Sequence, residues 1–418
     1  MFRITYSSLL LFPAILFWIY ALLFYTSLNY AAIFPVVNRA ILFGLILACI
    51  GFSLCLNGKR WLRDVRDPVG FSIFFYFLYI FFSFILSILL GNIQSKDINS
   101  FILQCFLPIL FYFVFKSYKH WSIIVYIIVL LVFLNALIAI AASPFVKFDI
   151  PIITQITKVA AFKGGSGYRL YSFIGNSSTL GFSALLCIAI YIAFPAMRFK
   201  YIVLPVMIVT VLSTRQRAVW VGVLILILLI IYFSITLKGY AKRNLSLFAL
   251  IPVLGTIVYL FFAHYMDQLT VIDLLRSTLD NMTPADAFGS RASQQVIYNN
   301  SNPFFILFGE GFGKYSPLIT DNALSQPDAS YYMIFNETGI VGMLVFFNMF
   351  FQIVRYSLRR ANFVLLFLVF AISVGLLGNR YLWFFPVNYL FYSFVGIFQN
   401  TSSNRRLVFE NRLNQTGA

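Results

Sequence analysis

Long apolar runs separated by short polar connectors organise the chain from about residue 7 to residue 398. Most of the runs come close to the ~20 residues that carry an α-helix across a bilayer. The pattern predicts twelve spans, at 7–25, 40–56, 70–90, 100–115, 122–142, 177–195, 201–212, 218–236, 245–263, 331–352, 363–378 and 382–398. The seventh is short. A helix satisfies its own backbone polar groups in lipid, so the expected fold is an all-α polytopic membrane protein, with 1–418 forming one integral membrane domain. The first run has no small-residue cleavage site behind it and reads as a retained span.

Two segments break the rhythm, 143–176 and 264–330, and both are too long to be simple connectors. The second includes an amphipathic stretch, Leu269 to Met282, in which Leu269, Ile272, Leu275, Leu279 and Met282 recur at helical spacing. Charge gives the expected orientation. With the N-terminus inside, the inward connectors collect Lys59, Arg60, Arg63, Arg66, Lys116, Lys119 and further clusters, eighteen of the 30 basic residues. That is the positive-inside pattern, which places both termini in the cytoplasm and both long segments outside.

Composition removes whole classes of protein. Hydrophobic residues make up 61% of 418 and charged residues 10%, with a mean hydropathy of +0.89. A soluble domain carries about 25% charged residues. The apolar excess must face a lipid bilayer. The net charge of +17 follows from topology, since the basic residues lie in connectors, and no nucleic-acid partner is expected. Cys49, Cys55, Cys105 and Cys187 lack metal-ligand spacing and read as packing residues.

The spans hold almost no ionisable residues in their middles, whereas Arg169, Arg215, Arg217, Arg291 and Arg380 gather at outward ends. Each runs against the topological bias. One explanation is snorkelling to headgroups or pairing with an acid. The other is an anion site, because guanidinium forks onto phosphate oxygens. The pair Arg215 and Arg217, in a very short outward turn, favours the second.

The residues around these arginines resemble a known family. Ser213-Thr-Arg-Gln-Arg-Ala-Val-Trp-Val-Gly222 is similar to the "S-R-G-A-x-L-G" turn of the O-antigen polymerase and ligase superfamily (Wzy and WaaL proteins). Arg169-Leu-Tyr-Ser-Phe-Ile-Gly-Asn-Ser-Ser-Thr-Leu-Gly181 resembles its "R-x-x-G-x-x-G-N-P-N-x-L-G", departing at Ser172 and Ser177. Arg291, then Asn302-Pro303 and Phe308-Gly-Glu-Gly-Phe-Gly313, looks like "R…P-L-x-G-x-G-x-G". Asp328-Ala-Ser-Tyr-Tyr, continuing to Asn336-Glu-Thr-Gly-Ile-Val-Gly342, matches the element that opens the next span. Together they cover roughly 165–350. Ligases of the superfamily carry a histidine where this chain has Asp328, so the resemblance points to a polymerase.

That resemblance implies a GT-C-like membrane glycosyltransferase at the periplasmic face of a bacterial inner membrane. Its substrate would be an undecaprenyl-diphosphate-linked oligosaccharide, moved onto the next lipid-linked repeat unit for O-antigen or another polysaccharide. A chain-length regulator is the implied partner. The sugar–diphosphate bond already stores the energy, so no cofactor is expected, and no paired acids suggest a metal. Charge growing on the departing diphosphate calls for preplaced cations. Arg217 and Arg291 are the catalytic candidates, with Arg215, Arg169 and Arg380 as diphosphate ligands. Asp328, then Glu337, are candidate proton acceptors, although an aspartate before a span also serves as a helix cap. Gly311 and Gly313 bring backbone N–H groups toward phosphate in one reading and form a plain loop in the other. Two alternatives remain: a ligase acting on lipid A core, and a transporter or flippase, suggested faintly by the charged inner loop Asn57–Pro68.

Overall fold

Hydrocarbon offers backbone groups no partners, so every turn, break or bulge within a membrane bundle must be satisfied by a neighbouring element. Irregularities of this kind recur among the described residues. The computed structural model describes residues 11–25, 35–93, 97–116, 121–142, 151, 170–175, 177–193, 199–214, 217–236, 302–314, 330–360, 362–378 and 385–400. The expected ninth span at 245–263, the amphipathic stretch 269–282 and most of both long segments lie outside them.

Among the described residues the structure is helical apart from an isolated bridge between Ser172 and Gly175. The helices are α1 (Leu11–Ile19, continued by π-turns over Tyr20–Tyr25), α2 (Pro35–Arg66), α3 (Pro68–Leu89), α4 (Ile98–Lys116) and α5 (Trp121–Ala141). Then come α6 (Ser177–Ala193), α7 (Lys200–Ser213), α8 (Arg217–Thr236), the short α9 (Pro303–Phe308), α10 (Ser330–Arg359), α11 (Phe363–Gly378) and α12 (387–400). Five are long and apolar enough to cross a membrane: Val36–Arg66, Pro68–Leu89, Ile98–Lys116, Ser122–Ala141 and Met333–Arg359. Shorter apolar helices accompany them, so the chain is an all-α membrane protein.

Helix α3 illustrates the two-faced pattern. Phe71, Phe75, Leu78, Phe82, Ile85 and Leu89 form one exposed stripe, while Ile73, Tyr76, Ile80, Ser83 and Ser87 are buried on the other side. Exposed phenylalanines on this scale belong against lipid tails. Helix α11 is buried almost throughout and packs against α6, α8 and α10, which makes it a central post.

The first irregularity lies in α4, where Ile102–Phe106 form a π-turn. Such a turn frees carbonyls from the regular ladder. Tyr389 Oη donates to Leu103 O at 2.8 Å and Asn388 Nδ2 to Gln104 O at 2.6 Å, so the start of α12 supplies the missing donors.

The second lies at the basic end of the bundle. Helix α2 kinks at Asn57 (φ −135, ψ 22) and runs on to Arg66, well past the expected end at 56. Lys and Arg are good helix formers, so the helix continues where hydropathy stops. Asp67 precedes α3 without capping it by its side chain. Its carboxylate instead receives Lys116 Nζ at 3.2 Å and Gln399 Nε2, and Lys116 also lies 3.7 Å from Asp64. Tyr112 Oη bonds Gln399, and Arg60 reaches Asn400 at 3.2 Å. One buried polar network therefore ties the ends of α2, α3, α4 and α12.

The third irregularity is a break in α10 at Gly339 (φ 66, ψ −169). The expected span at 331–352 is instead a longer helix in two parts. This break sits at the candidate site.

Candidate functional site

The break at Gly339 leaves the carbonyls of residues 336 to 338 turned away from a regular helical ladder. The Gly309–Gly313 loop, which follows α9, fills the gap. Glu310 N–H donates to Asn336 O at 2.9 Å and Gly311 N–H to Glu337 O at 3.0 Å. From the other side, Ser83 Oγ donates to Glu337 O at 3.0 Å and Tyr79 Oη to Thr338 O at 2.7 Å. The loop is itself held to α3. Phe312 N–H reaches Ser83 O at 3.1 Å and Ser83 Oγ at 3.0 Å, and Asn92 Nδ2 reaches Glu310 O at 2.8 Å.

Only glycine permits this approach. A β-carbon at Gly309 (φ 77) would lie 2.3 Å from Glu337 C, and one at Gly339 would lie 2.3 Å from Leu307 O. Both contacts are far inside van der Waals distance, and both residues hold φ values that disfavour side chains. The amide of Gly311 is committed to Glu337 O, and Gly313 (φ 96) is buried in the same loop. The observed work of Gly309 and Gly311 is close approach to the broken helix and to Ser87 on α3.

Glu337 is fully buried, at 0% exposure. Its carboxyl lies within electrostatic reach of Tyr76 on α3 and Cys105 in the π-turn of α4. The one acid in the interior of α10 thus sits between two of the bundle's irregular elements.

A second contact region joins α6 to the start of α8. Gly181, which ends the 169–181 motif, packs against the start of the 213–222 motif. A β-carbon there would lie 3.1 Å from Thr214 Oγ1 and 3.2 Å from Val219 Cγ2. One turn further, a β-carbon at Gly222 would come within 2.6 Å of Leu185 Cδ2 on α6. Upstream, residues 170–175 are drawn into the bundle by Asn135 on α5. Asn135 Oδ1 accepts Ile174 N–H at 3.1 Å, while its Nδ2 donates to Leu22 O at 3.0 Å.

The described parts of the sequence elements singled out at 169–181 and 213–222 therefore form one packed pair, and those of 302–313 and 328–342 form another. Helix α11 links the pairs, contacting α6 and α8 as well as α10. Tyr331 Oη donates to Ser373 O at 2.9 Å, which fixes the second pair to this post. Arg217 is the first residue of α8. Arg169, Arg215, Arg291, Asp328 and Arg380 lie outside the described residues.

Four contributors escaped the sequence reading: Tyr79, Ser83, Asn92 and Asn135. A signal existed for the first two. Tyr79, Ser83 and Ser87 recur at i, i+4 and i+8 in an otherwise apolar run, which places a polar line on one helix face. Comparison of the chain with protein-family models yields no match, and comparison with curated proteins yields none.

Proposed function

We propose that this chain is an inner-membrane polysaccharide polymerase of the O-antigen type. It transfers a glycan from its undecaprenyl-diphosphate carrier onto a hydroxyl of the next lipid-linked repeat unit, at the periplasmic face. The supporting observation is the arrangement of the described parts of the four resemblance motifs. They are scattered along the chain, yet they form two contacting pairs that α11 links.

In this reading Arg217 and Arg291 stabilise the charge that develops on the departing diphosphate. Arg169, Arg215 and Arg380 bind it in the ground state, and Asp328 accepts the proton of the attacking hydroxyl. Glu337 and Gly311 act behind the site, since their hydrogen bond braces the broken helix that follows Asp328, and Gly313 belongs to the same loop. The energy of the reaction comes from the sugar–diphosphate bond, and the polymerase works with a chain-length regulator. Asp328 in the place of the ligase histidine favours polymerase over ligase.

The test is complementation of a deletion strain. Arg217→Ala and Arg291→Ala should each lower chain growth about 10²–10³-fold at normal protein levels, with partial recovery in the Lys variants. Normal polymer length in both Ala variants would refute the assignment. The deletion strain itself separates the two transferase readings. A single repeat capping each core marks a lost polymerase, and accumulated unattached polymer marks a lost ligase.

A further inference from the structure

The stretch of α2 beyond the Asn57 kink, residues 58–66, has a sharply divided surface. Lys59, Arg63 and Arg66 recur at i, i+4 and i+7, so they share one helix face, and all three are exposed. Leu62 lies beside them and is 70% exposed. The opposite face is locked into the bundle. Trp61 Nε1 donates to Ser53 Oγ at 3.0 Å, its ring packs 5.6 Å from that of Phe113, and Asp64 is buried beside Lys116.

The local acids make the stripe unusual. Asp64 and Asp67 are the only acids between Gly58 and Gly70, and both are engaged by Lys116. With these carboxylates drawn inward, the outer face carries three cations and a leucine. Three cations flanking an exposed leucine match a headgroup layer, because the cations meet phosphates while the apolar side chain enters the upper acyl region.

We propose that Lys59, Arg63 and Arg66, with Leu62, form a binding site for anionic phospholipid headgroups. This site is separate from the transfer chemistry and does not depend on that assignment. Each cation near an anionic surface strengthens binding roughly fivefold, so the stripe should favour anionic over zwitterionic lipid by up to about a hundredfold.

A Leu62→Trp variant places the reporter on the exposed stripe itself and keeps that position apolar. The full-length protein would be reconstituted with phosphatidylglycerol or phosphatidylcholine brominated near the top of the acyl chains. The contribution of position 62 to fluorescence quenching is the difference between the Leu62→Trp variant and the wild-type protein. Stronger quenching by brominated phosphatidylglycerol is expected, with the preference abolished in Lys59→Gln/Arg63→Gln/Arg66→Gln and weakened by high salt. These substitutions alter exposed side chains, and circular dichroism verifies their folding. Equal quenching of the Leu62→Trp reporter by the two lipids would overturn the proposal, as would a preference that survives when the same reporter is carried by the triple variant.

Discussion

Replacing Tyr79 with Phe tests the idea that α3 braces the broken helix α10. The substitution removes one oxygen and leaves the ring in place, so packing is conserved. The lost group donates to Thr338 O at 2.7 Å and lies beside the Gly342 amide. Thr338 is buried at 1% exposure, so water does not replace the lost donor. A buried carbonyl left without a partner costs about 1–3 kcal/mol, while interhelical hydrogen bonds in bilayers average nearer ~0.6 kcal/mol. The carbonyl sits at a helix break, where the regular ladder gives no fallback, so a loss of about 1–2 kcal/mol is expected. The measurement is unfolding in mixed micelles titrated with denaturing detergent and followed by circular dichroism. Tyr126→Phe is the control, because Tyr126 is 43% exposed on α5 and should change stability by under about 0.5 kcal/mol. If Tyr79→Phe were no less stable than Tyr126→Phe, the bracing argument would fail. Combining it with Ser83→Ala should give a non-additive loss, since both donors serve adjacent carbonyls of one break.

Gly339→Ala should be among the most damaging single changes, at about 3 kcal/mol or more, because it adds both backbone strain and overlap with Leu307 O; thermal stability in detergent would read it. Lys116→Met removes the nearest cation from Asp64 and Asp67, leaving Arg60 and Arg63 to act on Asp64, and should cost about 1–3 kcal/mol in the same assay, and adding Asp64→Asn and Asp67→Asn should restore most of the loss. Asn388→Leu removes the donor to Gln104 O in the π-turn of α4 and should cost about 1 kcal/mol, with faster amide exchange over residues 102–106 as the specific sign.

Several features were legible in the residues alone. Helices occupy the positions of the expected runs wherever the structure describes them, because burial in lipid imposes a hydropathy signal far above local propensity. Helix ends were less legible. Helix α2 runs to Arg66 and α10 to Arg359, since charged helix formers extend a helix past the hydrocarbon layer without any hydropathic trace. The glycine-rich stretch at 309–313 stood out by letters, and a plain loop was one of its two readings. Its partner was invisible, because Glu337 and Ser83 are close to it only in space.

The length and hydropathy of the apolar runs determined by themselves that this chain is a helical membrane protein and roughly where its described helices lie, since both properties depend on residues adjacent in sequence. Tertiary structure alone decided how the irregular pieces are repaired: the π-turn of α4 by Asn388 and Tyr389, the break in α10 by Tyr79, Ser83 and the 309–313 loop, and the basic end by Lys116. Each repair joins groups that are distant in sequence. Inside lipid an unsatisfied carbonyl has no water to turn to, so the bundle's packing was free to choose the partner but not to leave it out.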